Sequence, residues 1–110
     1  MRRVAAIALA ASLAGPVAAD DVALTLIVRN GCGTCHVIPG VPGANGRTGP
    51  PLGAMSRQAY VAGVLPNTLD ALAQFIQNPQ AVDPGSAMPR LGLTEDEARR
   101  LALYLYTLED

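Results

Sequence analysis

The chain has 110 residues, half of them hydrophobic, with eight arginines, no lysine, nine acids and a formal net charge of −1. That length fits one small domain. A near-neutral, lysine-free composition argues against nucleic acid or an anionic membrane surface as a partner.

Arg2 and Arg3 open the chain, an apolar run extends from Val4 to Leu13, and Gly15-Pro16 breaks it ahead of Val17-Ala18-Ala19. This is the layout of a secretory signal peptide over residues 1–19, with cleavage after Ala19 and a domain of residues 20–110. An uncleaved membrane anchor is the alternative, but the run is shorter than the roughly 20 apolar residues a span requires. Nothing later in the sequence reads as a membrane span. The expected product is soluble in the periplasm, where six arginines face nine acids, a formal charge of −3.

From Asp21 to Gly31 the pattern is short. Leu24, Ile27 and Val28 suit one face of a helix. A strand over Thr25 to Val28 would find no partner strand elsewhere, so a helix leading into Cys32 is expected.

Cys32-Gly33-Thr34-Cys35-His36 contains both cysteines and the single histidine of the chain. Two thiols three apart, with an imidazole directly after the second, form the attachment pattern of a c-type haem. Each thiol adds across one haem vinyl group to make a thioether. The spacing puts both sulfurs on one side of a helical turn, and His36 then falls beneath the ring with Nε2 placed to ligate iron. Gly33 and Thr34 are expected to let the backbone lie against the macrocycle. Three rivals fit less well. A redox CxxC wants a βαβ setting, a zinc site wants a fourth ligand, and a Cys32–Cys35 disulfide is sterically awkward and leaves His36 unexplained.

Between Val37 and Pro66 periodicity almost vanishes and Gly and Pro dominate. Loops this long count against a compact domain unless something organises them, and small scaffolds need a staple. A covalent cofactor supplies one. A helix follows from about Leu69 to Asn78, capped by Asn67 or Thr68, with Leu69, Leu72, Ala73 and Ile76 on one face. Pro79 stops it. The strongest helical signal spans about residues 95 to 108: Leu101, Tyr104, Leu105 and Leu108 recur at helical spacing, with Ala98 and Ala102 beside them. Thr94 and Glu97 form a capping box, and Glu95–Arg99 and Asp96–Arg100 are candidate i,i+4 pairs.

With no second histidine, the sixth iron ligand falls to a methionine. Met88 sits in Pro84-Gly85-Ser86-Ala87-Met88-Pro89, where the prolines and glycine forbid helix and hold an extended loop. Met55, in Gly53-Ala54-Met55-Ser56, has no such device and reads as core packing or haem-edge cover. Met88 is the expected ligand, since Met/His is the standard electron-transfer pair.

These features together resemble the class I monohaem c-type cytochromes over nearly all of residues 22–108. Thr48-Gly49-Pro50-Pro51-Leu52 is similar to the family's loop after the attachment motif. The resemblance implies an all-α cytochrome c fold: three to four short helices and long loops wrapped around one covalent haem c with its iron. It implies that the Pro50 carbonyl accepts a hydrogen bond from His36 Nδ1–H, that Leu52 packs on the ring, and that Leu101, Tyr104 and Leu105 belong to a closing helix that crosses the first. Arg57 to Thr68, with Tyr60, Ala62-Gly63 and Asn67, resembles monohaem domains that feed haem–copper oxidases. By that resemblance Arg57 and Tyr60 contact the haem propionates; a solvated arginine and a packed tyrosine is the alternative. Two departures stand out. Many relatives carry a glycine in the first helix where Leu24 or a neighbour stands here, which predicts a looser or shifted helix crossing. Phe75 occupies a position where tryptophan is common.

The function these readings imply is not enzymatic. It is a periplasmic one-electron carrier with His36/Met88-ligated iron, in a respiratory chain leading to a terminal oxidase. One alternative is the dedicated electron-acceptor subunit of a periplasmic dehydrogenase; another is a haem enzyme or gas sensor in which Met88 is displaced. The partners expected are redox proteins met transiently, through apolar contact and arginines such as Arg47 or Arg90. The chain itself is expected to be a monomer.

Overall fold

The structure, a computed structural model, describes residues 20–109. The expected signal segment, residues 1–19, lies outside the described residues.

The first helix, α1, spans Asp21–Arg29. Asp20 caps it, its Oδ1 accepting from the N–H groups of Val22 (3.0 Å) and Ala23 (3.2 Å). Asp21 in the first turn and Arg29 in the last suit the helix dipole. The buried face is Ala23, Leu26 and Ile27; of the expected Leu24, Ile27 and Val28 only Ile27 is on it, and Val28 is 68% exposed. The reason lies in the neighbour. α1 packs on the last helix, and the three residues of this pair with no exposed surface are all alanines: Ala23, Ala98 and Ala102. Small side chains thus fill the fully buried positions of this helix pair, while Leu24 is half-buried.

Gly31, at φ +67°, turns the chain out of α1 into a single helical turn, α2, at Cys32–Cys35. A long loop follows to a 3₁₀ turn at Met55–Arg57. Next comes a small antiparallel hairpin, β1 (Tyr60–Val61) and β2 (Leu65–Pro66), with Tyr60 opposite Pro66 and Val61 opposite Leu65. Its turn has positive φ at both Ala62 (54°) and Gly63 (70°) and is closed by Val64 N–H to the Val61 carbonyl at 2.9 Å. Strands of two residues are too short to show an alternating pattern, so the hairpin had no sequence signal.

α3 spans Leu69–Gln77 and is capped by Thr68, whose Oγ1 accepts from Ala71 N–H at 3.1 Å. Asn67, the other candidate cap, is used elsewhere. Pro79 ends α3 as expected but also begins another turn, α4, at Pro79–Val82, because proline is well suited to a first helical position. α5 spans Glu95–Tyr106 and carries the full Thr94–Glu97 capping box. The expected i,i+4 ion pairs give way to pairs between elements: Arg99 binds Asp70 on α3, and Arg100 Nε lies 3.2 Å from Asp20 Oδ2 at the head of α1. Both are surface pairs, worth about 0–1 kcal/mol each.

The fold is all-α in class, with five α-helical segments, two of them single turns, and one small hairpin among the described residues. Its core joins Leu26 and Ile27 of α1, Leu72 and Ile76 of α3, and Leu101 and Leu105 of α5. α5 packs against both α1 and α3.

Candidate haem site

The loop after α2 folds back along the attachment motif and is stitched to it by backbone hydrogen bonds. Gly46 N–H donates to the Gly33 carbonyl (3.0 Å), Gly49 N–H to that of Cys35 (2.7 Å), and Leu52 N–H to that of Val37 (2.9 Å). The approach demands glycine. A Cβ on Gly33 would stand 2.7 Å from that of Ala44, and one on Gly46 would overlap the Thr34 backbone. Gly33 therefore makes room for this loop, not for the macrocycle as expected, and neither Gly33 nor Thr34 lines the main cavity.

The same loop holds the histidine. His36 Nδ1 lies 2.7 Å from the Pro50 carbonyl oxygen. A carbonyl only accepts, so Nδ1 carries the proton in the neutral ring and Nε2 keeps its lone pair. Such a bond fixes tautomer and ring orientation for a metal ligand. Gly49 lies against the ring itself: a Cβ there would stand 2.7 Å from Nδ1 and closer still to Cε1.

Cys32, Cys35, His36 and Met88 all line one cavity of about 420 Å³, within the range of cofactor pockets. Its walls are largely apolar: Leu52 from the loop, Leu72, Phe75 and Ile76 from α3, and Leu101 and Leu105 from α5. Met55 lines it as well, and is half-buried against the core. Among the described residues Asp83 is the only carboxylate in the lining, and its Oδ1 accepts from Gly85 N–H at 3.1 Å. Arg57 and Tyr60 are not in the lining; Tyr60 is 60% exposed.

Burial pushes the Cys32 thiol above the usual cysteine range, and the neighbouring Cys35 adds to this while a backbone hydrogen bond partly offsets it. The two cysteines are not bonded to each other. Among the described residues no three His, Cys, Asp or Glu side chains converge as a metal-ion cluster, so the zinc alternative finds no ligand set. The residues do fit a haem. Two thiols, one imidazole and a thioether on apolar walls suit a large, flat, apolar group with covalent anchors and axial ligation.

Two polar residues shape the site in roles not expected of them from the sequence. Asn67 joins three segments: its Nδ2 donates to the carbonyls of Met55 and Gln58, both at 2.8 Å, and its Oδ1 accepts from Tyr106 Oη–H at 2.6 Å. Gln80 on α4 reaches the Met88 loop. Sequence carries no signal for either role, since each depends on carbonyls that only the folded loops bring within reach of the side chain.

Among the described residues no helix is long and apolar enough to cross a membrane. No curated protein and no solved structure matches the chain. A family model described as cytochrome c matches residues 25–109, which include the attachment motif, the methionine loop and the closing helix. With most of its length under that match, the chain belongs to the cytochrome c family.

Proposed function

We propose that this chain carries one haem c, anchored at Cys32 and Cys35 and ligated by His36 and Met88. It works in the periplasm as a one-electron carrier of a respiratory chain, passing electrons towards a terminal oxidase. The observation that carries this reading is the convergence of these four side chains on one apolar cavity.

When bound, the haem supplies a one-electron couple whose potential is raised by Met/His ligation. The chain's residues set the conditions. Cys32 and Cys35 supply the anchoring sulfurs. The Pro50 carbonyl holds the His36 ring with Nε2 available, and Met88 offers a soft thioether sulfur. Leu72, Phe75 and Ile76 of α3 and Leu101 and Leu105 of α5 give the cavity apolar walls. With His36 and Met88 both holding the iron, the chain's own side chains would take the positions a substrate needs, which supports a carrier over an enzyme.

Support for the oxidase direction is the segment Arg57 to Thr68, which resembles domains that feed haem–copper oxidases. It forms the hairpin whose Val61 and Ala62 line the cavity, with Tyr60 and Val64 exposed beside them. In a chain without lysine, docking rests on such apolar surface and on arginines such as Arg47 or Arg90, in a small transient interface.

The ligand assignment is tested with Met88→Ala. The expected result is loss of the methionine–iron charge-transfer band at the red end of the spectrum and a fall in reduction potential. A six-coordinate spectrum with unchanged potential would move the role to Met55. Chains that co-elute on purification from the source separate the oxidase route from a dehydrogenase subunit.

A further inference from the structure

We infer that Gln80 is a positioning residue for Met88, a role that rests on the reading of Met88 as the iron's ligand. Gln80 is exposed on α4 and takes no part in lining the cavity. Its Nε2 donates to the Met88 carbonyl at 2.6 Å and to the Ser86 carbonyl at 3.1 Å. One amide nitrogen has two N–H groups, so its whole donor capacity is spent on this loop.

The loop grips Met88 from the other side as well. Met88 N–H donates to Ser86 Oγ at 3.2 Å, and Ser86 N–H donates to the Asp83 carbonyl at 2.9 Å. Both backbone polar groups of Met88 are therefore held, one by Gln80 and one by Ser86. This matters because residues 83–89 belong to no helix or strand whose ladder could hold them. Methionine has three rotatable side-chain bonds, so where its sulfur lies depends first on a fixed backbone. Pro89 narrows the Met88 backbone to extended geometry, but a proline fixes only local dihedrals and does not tie the loop to the body of the protein. Gln80 does, from the turn that follows α3.

The test uses haem-loaded protein: parent, Gln80→Ala, Gln80→Glu, Ser86→Ala and Met88→Ala. The readouts are the red-end charge-transfer band and the affinity of the ferric form for imidazole, which has to displace Met88 to bind. Gln80→Ala is expected to weaken the band and to tighten imidazole binding about tenfold, the size expected from two lost hydrogen bonds. Gln80→Glu keeps the shape and loses both donors, so it is expected to match Gln80→Ala. Ser86→Ala is expected to shift both readouts the same way by less. In a Met88→Ala background, Gln80→Ala is expected to leave imidazole affinity unchanged.

A lowered melting temperature in Gln80→Ala with band and imidazole affinity unaltered would overturn the proposal, leaving Gln80 a structural residue only. So would an equal imidazole effect in the Met88→Ala background. A Met88→Ala protein that keeps the band refutes the ligand reading, and this role with it.

Discussion

At Gly49 the chain lies so close to the His36 ring that a Cβ would stand 2.7 Å from Nδ1. The Gly49→Ala variant must therefore displace the imidazole or shift the loop, and overpacking of this kind costs about 1–3 kcal/mol. Denaturant unfolding of the haem-loaded protein is expected to show that loss, together with an altered histidine–iron signature in the NMR spectrum. Ala62 presents the opposite case. Its left-handed backbone (φ 54°) costs an L-residue about 1–2 kcal/mol, and it is an exposed residue of the cavity lining with only a methyl group to lose. Glycine relieves that strain but adds disorder to the unfolded chain, about 0.5–1 kcal/mol. Ala62→Gly is expected to stabilise the protein by about 0.5 kcal/mol, seen as a small rise in the denaturant midpoint.

Between elements, Asn67 connects the 3₁₀ turn bearing Met55 to the end of α5 through three hydrogen bonds. At about 1 kcal/mol each, Asn67→Ala is expected to cost about 2–3 kcal/mol in a denaturant titration. The same contact gives an alkaline limit. Burial raises the Tyr106 phenol above its usual value. A group whose folded pKa is raised contributes fully below the unfolded pKa, near 10, and loses that contribution as pH rises through the folded one. Stability is thus expected to fall from about pH 10 upward, and Tyr106→Phe to remove that part of the fall, read from urea midpoints across the range. Ion pairs between elements behave differently. Arg99–Asp70 and Arg100–Asp20 are exposed enough that removing either is expected to shift stability by under about 1 kcal/mol.

Across the whole molecule, α1, α3 and α5 and the loops between them all face the same cavity. Left empty, about 420 Å³ at about 24 cal/mol per Å³ would cost on the order of 10 kcal/mol. That is an upper bound for a cavity with a mouth, yet it matches the about 5–15 kcal/mol that holds a typical domain. The chain without haem is therefore expected to be largely unfolded by circular dichroism; a cooperative melt of the apo chain would contradict this. The same geometry explains what was legible beforehand. α5 was readable because its pattern is local: a capping box and apolar residues at helical spacing specify a helix wherever it packs. The Cys32–His36 pattern was readable because haem attachment needs fixed spacing within one turn, and the match over residues 25–109 agrees with the all-α fold it implied. The sequence by itself determined α3 and α5 with their caps, the attachment motif and the family. The tertiary structure decided which face of α1 is buried, because that depends on the alanines of α5. It also decided where Arg99 and Arg100 pair, that a hairpin closes the middle loop, and that Asn67 and Gln80 hold the backbone of the segments bearing Met55 and Met88. Hydrogen bonds between distant segments leave no periodic trace in a sequence, since only the folded chain brings donor and acceptor within reach.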